Sequence, residues 1–387
     1  MCLADACRCP EKLAKGGRQR STSDPSRQDA GFSLHNTFAL LVAVMLVQHL
    51  GIILLACLTA GAVLREQAPS QQLPFLDDVA TDQWIGRQVA EDDPYPKRPG
   101  HRIPVPALYH RRYSEQTFIG THDSAALRTE ENGYSLSGNQ YFNVSMQLKA
   151  GVRLLQAQGH RDPNGSSEIR LCHFNCALMD GGSLTDHLLS VKAFLDENPH
   201  EVVTLLFVNT GPPLWHWAKA YYHAGLDLMS YIPPRRGRWS NFGIENWPTI
   251  AEMVSANKRV VTFLSSGANE RIVPFLLPEF RYLFETNFGI ERPDQYTCRP
   301  DRPRWPGSYI PNRLSLVDHF LYAKFLGFRY PNASYANETN SASFREGALG
   351  EHAARCRTMY ERRPNFLLVD FFNEGDVFDV EYGMNAN

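Results

Sequence analysis

The chain has 387 residues, 43% of them hydrophobic and 21% charged, with a formal net charge of −2. That length holds one large domain or two ordinary ones, and the composition is globular. Near-neutral charge, with no basic stripe interleaved by aromatics, excludes a general nucleic-acid binder.

Residues 1–36 are rich in Ser, Arg, Lys, Asp and Gly and lack apolar periodicity, so they read as a disordered cytoplasmic tail. From Phe38 to Leu64 no residue is charged. About 20 apolar residues cross a bilayer as a helix, so residues 37–64 are expected to form one N-terminal transmembrane signal anchor. Arg8, Lys12, Lys15, Arg18, Arg20 and Arg27 precede the run, and Asp77, Asp78, Asp82 and Glu91 follow it. The positive side stays cytoplasmic, which predicts a type II single-pass protein of the secretory pathway or cell surface, its main domain lumenal or extracellular. Ala60-Gly61-Ala62 resembles a signal-peptidase site, and cleavage after Ala62 would give a secreted form. Residues 65–112, with Pro69, Pro74, Pro94, Pro96 and Pro99, read as a stalk.

Beyond the apolar run lie sequons at Asn143, Asn164, Asn332 and Asn337, which predict glycosylation. Cys172, Cys176, Cys298 and Cys356 also lie there. In an oxidising compartment four cysteines allow three pairings; the close spacing of Cys172 and Cys176 suggests a local bridge, which leaves Cys298 with Cys356. No second CxxC or HxxxH accompanies them, so the pattern does not read as zinc.

Residues 113–387 alternate short apolar runs with helical stretches. Phe118–His122, Gly151–Gln158 and Ile169–His173 read as strands. Leu184–Glu197 places Leu184, Leu188, Val191 and Leu195 on one helical face, and Asn198-Pro199 stops it. Val202–Val208 is a continuous apolar run of strand length, as in a parallel sheet covered on both faces. Further strands are expected at Arg259–Leu264, Tyr282–Phe284, Leu314–Phe320 and Phe366–Phe372, and helices at Trp215–Ala224, Ile250–Ala256 and Ser343–Arg362. Residues 325–342, polar and aperiodic, read as a glycosylated surface loop. Alternation of this kind predicts an α/β fold. The strand number favours a (β/α)8 TIM barrel over an open doubly wound sheet.

In a barrel the carboxyl ends of the strands converge on one face, where active sites form. His122 and Asp123 follow the first expected strand, and Gln156 and Gln158 end the second. His173 ends the third, Asn209 the fourth, His319 a later one and Asp370 the last. Two imidazoles and two carboxylates suit acid–base work: one imidazole takes a proton, the other gives one, and a carboxylate fixes each tautomer. Histidines at strand ends also serve merely to satisfy hydrogen bonds, so spacing alone does not decide.

The strings Thr121-His-Asp-Ser124, Gly138-Asn-Gln140, Gln147–Arg153, Leu171-Cys-His173, Phe194–Thr204 and Pro364–Phe372 occur in that order. Together they resemble the X region of phosphatidylinositol-specific phospholipase C, over about residues 113–375. Leu155–His160 is similar to a metal-independent, fungal-type branch of these phosphodiesterases. The resemblance implies a distorted barrel, no cofactor, and a phosphodiester substrate such as an inositol phospholipid or a glycosylphosphatidylinositol. It implies His122 as general base oriented by Asp370, and His173 as general acid partnered by Asp123. The product would be a cyclic phosphate. Where bacterial relatives carry a phosphate-stabilising arginine this chain has Gln158, and where calcium-dependent ones carry acidic ligands it has amides at Gln156 and Gln158. His160, Gln158 and Asn209 are candidates to contact the phosphate instead, and His319 matches a fungal-type histidine. A catalytically impaired barrel that binds lipid or glycan at a membrane is the competing expectation. A Mg²⁺-dependent glycerophosphodiesterase would need acidic residues at those amides.

Overall fold

Twelve short strands and eight helices organise residues 108–234, 242–304 and 310–386, which the computed structural model describes. The tail, the apolar run 38–64 and the stalk through residue 107 lie outside the described residues. Among those described, no helix is long and apolar enough to cross a membrane.

In chain order the strands are β1 Phe118–Thr121, β2 Leu154–Arg161, β3 Ile169–Cys172, β4 Asp180–Ser183, β5 Val203–Asn209 and β6 Val260–Leu264. They continue with β7 Leu276–Pro278, β8 Leu283–Glu285, β9 Leu314–Asp318, β10 Tyr322–Phe325, β11 Phe328–Pro331 and β12 Phe366–Val369. The helices are α1 Val144–Ala150, α2 Leu184–Glu197, α3 Leu214–Ala224, α4 Ile250–Ser255, α5 Glu279–Tyr282, α6 Ala336–Thr339, α7 Leu349–Tyr360 and α8 Val377–Ala386.

Eight strands run parallel in the order β7-β6-β5-β2-β1-β12-β9-β8. That is chain order wound around a barrel, with the last strand beside the first: Ile119 pairs with Leu367 and Thr121 with Leu155. Among the described residues no ladder joins β7 to β8. Only the one-turn α5 separates them, and parallel neighbours need a crossover of about a dozen residues or more. The sheet is therefore a curled parallel α/β barrel, open between its fifth and sixth strands.

Successive side chains alternate between the interior and the helical layer. Phe118, Leu154, Leu206, Val261, Phe263, Leu316 and Leu368 share one core cluster. Ile119, Leu155, Leu205, Phe207, Val317 and Leu367 pack with α2, α3 and α7 in another. With both faces buried, the strands carry near-continuous apolar runs. Gly159 permits one close approach: a Cβ there would lie 2.3 Å from the Trp217 ring of α3. The helix α8, which the sequence reading did not anticipate, closes the amino-terminal end, where the Asn385 amide pairs with both backbone groups of Thr117.

Three expectations need correction. Ile169–Cys172 is not a barrel strand: β3 runs antiparallel to the overhanging upper half of β2 and forms a side hairpin with β4. The segment 325–342 is not an aperiodic loop. It contains β11 and α6, and β11 pairs with β10 as a hairpin. The expected helix Ser343–Arg362 is shorter, because α7 begins only at Leu349. Both expected disulfides are present, Cys172–Cys176 and Cys298–Cys356.

Candidate active site

The interior-facing positions of β1, β2 and β12, continued past their carboxyl ends, are His122, Gln156, Gln158 and Asp370. At each of three turns the backbone then reverses sharply. The residue after His122 (Asp123, φ 42°), after His173 (Phe174, φ 60°) and after Asp370 (Phe371, φ 47°) lies in the left-handed region. L-residues pay for that conformation, and such outliers persist where the surroundings over-determine them. At the first and third of these turns the surroundings are amide side chains. Gln140 donates to the carbonyls of His122 (3.0 Å) and Val369 (3.1 Å) and accepts from the Phe372 N–H. Asn340 donates to the carbonyls of Asp370 and Phe371. On the outer side Gln147 of α1 accepts from the Thr121 hydroxyl and donates to the Ser124 carbonyl.

His122 Nδ1 lies 2.9 Å from Asp370 Oδ1. Asn139 donates to the same carboxylate oxygen at 2.9 Å. A carboxylate accepts, so Nδ1 carries the proton and the lone pair of neutral His122 sits on Nε2. The Phe320 ring stacks on this imidazole at 3.9 Å and 5°. Burial disfavours charge on His122, but Asp370 and then Asp123 outweigh it and raise its pKa to about 9.

His173 reaches the site because the side hairpin brings the end of β3 back to the barrel mouth. Its Nδ1 is 2.7 Å from the Ser137 carbonyl and must donate to it. Its Nε2 is 3.5 Å from Asp123 Oδ2, and His122 Nε2 is 3.4 Å from that same oxygen. Asp123 is thus not behind His173 as a tautomer-fixing group; Ser137 has that place. Asp123 sits between the two free ring nitrogens, held by Gln158, which donates to Oδ2 at 2.9 Å, and by Gln156, which accepts from its N–H at 2.7 Å.

The remaining candidates divide. His160 continues the inward face of Gln156 and Gln158, with its Nε2 buried and unpartnered. Burial lowers its pKa, so it is neutral at pH 7 and does not supply the missing cation. Asn209 and His319 stand on the outer face of their strands. Asn209 donates to the Ser266 carbonyl and accepts from Gly211 N–H, tying two loops together. His319 is fully buried behind β9, its Nδ1 2.9 Å from His352 Nδ1 and its ring stacked on Tyr296. Its neighbours Asp318 and Phe320 are the inward residues, and sequence reasoning passed over both. The signal was available: one carboxylate ends the apolar run of β9, and period two puts it on the face of Leu314 and Leu316. Burial, with Glu285 beside it, holds Asp318 well above the usual carboxylate range.

Among the described residues, one group of Cys, His, Asp and Glu side chains has ligand atoms within metal-binding range: Cys298, His352 and Cys356. Its two sulfurs are joined to each other. Three sequons are exposed, at Asn143, Asn164 and Asn337, and Asn332 is half-buried.

Fold and site together define a class: a parallel α/β barrel with two carboxylate-flanked histidines at its carboxyl-terminal mouth. The PI-PLC X 1 family profile matches residues 108–385. The PI-PLC X domain-containing protein 1 of Arthroderma benhamiae is 36% identical over 283 residues, covering 73% of this chain and 88% of that one. An uncharacterized secreted protein of the same fungus is 32% identical over 288 residues, covering 71% of this chain and 62% of its own length. Among solved structures, phosphatidylinositol-specific phospholipase C of Listeria monocytogenes aligns at a TM-score of 0.45 and 14% identity, covering 72% of this chain and 96% of that one. The chain belongs to the PI-PLC X-domain family.

Proposed function

We propose that this chain is a phosphodiesterase that cleaves a phosphodiester bearing a neighbouring hydroxyl, with an inositol phospholipid or a glycosylphosphatidylinositol as substrate class. The observation that carries the proposal is the convergence of His122 Nε2 and His173 Nε2 on one carboxylate oxygen of Asp123, at 3.4 and 3.5 Å.

Neutral His122, its Nδ1 proton held by Asp370, takes the proton of the substrate hydroxyl at Nε2. The freed oxygen attacks phosphorus in line. His173, protonated at Nε2, passes that proton to the departing alcohol oxygen as the phosphorus–oxygen bond breaks. The product is a cyclic phosphate, and the paired imidazoles return to neutral and cationic forms by exchange with water. Acid–base transfer of this kind contributes about 10²–10⁴ in rate. The Gln158 amide, placed beside the reacting atoms, is a hydrogen-bond donor in the place of a cation, which sets an expectation of slow turnover. Gln156 and Gln158 offer amides where a hard divalent cation takes carboxylates, so the reaction is expected to proceed without a metal.

The full chain, assayed on phosphatidylinositol with and without EDTA beside His122→Ala and His173→Ala, tests this. Activity unaffected by EDTA and lost in both variants is expected. Equal inactivity of all three across a phosphodiester panel leaves the second reading, a barrel kept as a lipid- or glycan-binding module. One observation favours that second reading: the Asp123 carboxylate lies where an anionic phosphate must enter. We further propose that the chain is held by the apolar run 38–64 as a type II membrane protein, with the barrel lumenal or extracellular and glycosylated. The two disulfides support that compartment.

A further inference from the structure

Behind β9, in the outer layer of the barrel, four buried side chains meet: Cys298, His319, His352 and Cys356, each 2% exposed or less. His352 and Cys356 are four residues apart on α7, so they share one helical face. The segment that carries Cys298 is held against that helix by bonds other than the bridge. The Tyr360 hydroxyl donates to the Cys298 carbonyl at 2.8 Å, and Arg355 donates to the Tyr296 carbonyl at 3.1 Å. The two sulfurs and a ring nitrogen of His352 lie within 4.8 Å of one another. Sequence spacing does not show this group, because Cys298 joins the other two only through the fold.

The hydrogen bonds between the two rings fix which nitrogen is free. Burial keeps both imidazoles neutral, so each carries one N–H. His319 Nε2 faces the Thr339 carbonyl at 2.9 Å and must donate to it, which leaves His319 Nδ1 an acceptor. His352 Nδ1, 2.9 Å from that acceptor, must then be the donor. The lone pair of His352 therefore sits on Nε2, which is buried and has no hydrogen-bond partner among the described residues. A buried acceptor left unpaired costs the fold stability. An imidazole whose other nitrogen donates to a fixed partner is the arrangement that supports a metal-bound histidine.

We propose that, in the dithiol form of this pair, the thiolates of Cys298 and Cys356 and Nε2 of His352 bind one zinc ion, with water as the fourth ligand, and that zinc and the disulfide are alternative occupants of one place. Two sulfurs and one imidazole suit zinc, and the absence of a carboxylate from the group disfavours calcium and magnesium. The chain is synthesised with free thiols, so capture of the ion needs no reductant. Zn²⁺ replaces the two thiol protons, which leave to solvent. Closing the bridge from that state takes two electrons from the thiolates. An incoming disulfide accepts them with two protons and becomes a dithiol, and Zn²⁺ departs. Zinc thus keeps Cys298 facing Cys356, and away from Cys172 and Cys176, until oxidation completes one of the three possible pairings. Neither step involves the phosphodiester site, so the inference does not depend on turnover.

The test uses the full chain, reduced with a phosphine that is then removed, and titrated with Co²⁺ as a spectroscopic substitute before displacement by Zn²⁺. Cys2, Cys7, Cys9 and Cys57 also offer thiols, so the reading is a difference from His352→Gln, from Cys298→Ser with Cys356→Ser, and from the oxidised chain. One Co²⁺ with thiolate charge-transfer bands and tetrahedral ligand-field bands is expected in the reduced wild type and missing from the other three. Affinity for that ion is expected to fall by about a hundredfold in His352→Gln. Should a variant misfold, the unsubstituted chain gives the second reading. The reduced chain is oxidised with glutathione disulfide, with zinc bound or after its removal by a chelator, and peptide mapping follows the Cys298–Cys356 bridge. The bridge is expected to form several-fold more slowly with zinc present, and to release one zinc as it forms. Equal metal binding by wild type and variants, or bridge formation at the same rate with and without zinc, overturns the proposal.

Discussion

Asp370 Oδ1 stands 2.9 Å from His122 Nδ1 although 248 residues separate the two in sequence. Their strands, β12 and β1, are the last and first of the barrel and pair residue for residue from Phe118 opposite Phe366. Register therefore delivers the contact, and Asn139, donating to the same oxygen, fixes its geometry. Replacing Asp370 by Asn keeps the shape and removes the charge. The expected outcome is a fall in kcat/KM on phosphatidylinositol of about a hundredfold or more, with the melting curve still cooperative. An unchanged kcat/KM would remove Asp370 from the mechanism.

The raised pKa of His122 gives a pH signature. If neutral His122 is the base, kcat/KM rises with pH toward a limb near about 9, and Asp370→Asn moves that limb downward. The same shift is a stability statement. A histidine with its folded pKa raised from 6.5 to about 9 stabilises fully below 6.5, and the contribution is lost as pH climbs through 9. The difference in melting temperature between the wild type and His122→Gln should therefore shrink across that window. A difference independent of pH would contradict it.

His319 should behave in the opposite sense. Burial lowers its pKa from 6.5 to about 4. Its contribution is present above 6.5 and lost as pH falls toward 4, because the unfolded chain takes up a proton that the fold excludes. His319→Gln should flatten the acid side of the stability profile relative to the wild type. At pH 7 its kcat/KM should stay within a few-fold of wild type, since the ring lies behind β9 against His352. A hundredfold loss would place His319 in the reaction.

The two disulfides should separate by effect. Cys298–Cys356 spans 58 residues, so its removal by serine substitution should cost about 4 kcal/mol in the loop-entropy account, read from chemical denaturation. Cys172–Cys176 spans only 4 residues and should cost less stability. Cys172 immediately precedes His173, however, and that pair of substitutions should lower kcat more than it lowers the midpoint of unfolding. Equal effects on both quantities for the two bridges would refute the distinction.

Much of this site was legible in the amino-acid sequence, and the failures share a cause. His122, Asp123, His173 and Asp370 were reachable because each adjoins an apolar run of strand length, and order along the chain predicts which ends meet. Which face a strand-end residue takes was harder. His319 reads as a strand-end residue and a match to a fungal-type histidine, while counting inward positions from Leu314 favours Asp318. Asn209 fell on the outer face for the same reason. The role of Asp123 between the two imidazoles was not legible, since it depends on a left-handed turn at a residue that is not glycine. Nor was the direction of β3: a short apolar run looks the same parallel or antiparallel, and only the overhang of β2 decides.

The central claim is that His122 and His173 together expel an alcohol from a phosphodiester and leave a cyclic phosphate. ³¹P nuclear magnetic resonance of phosphatidylinositol incubated with the full chain in EDTA tests it most directly. A cyclic inositol phosphate resonance that grows with the wild type, and is absent with His173→Ala, is the predicted result. Direct appearance of the open-chain phosphate with no cyclic species, or product formed at equal rates by wild type and His173→Ala, would contradict the mechanism.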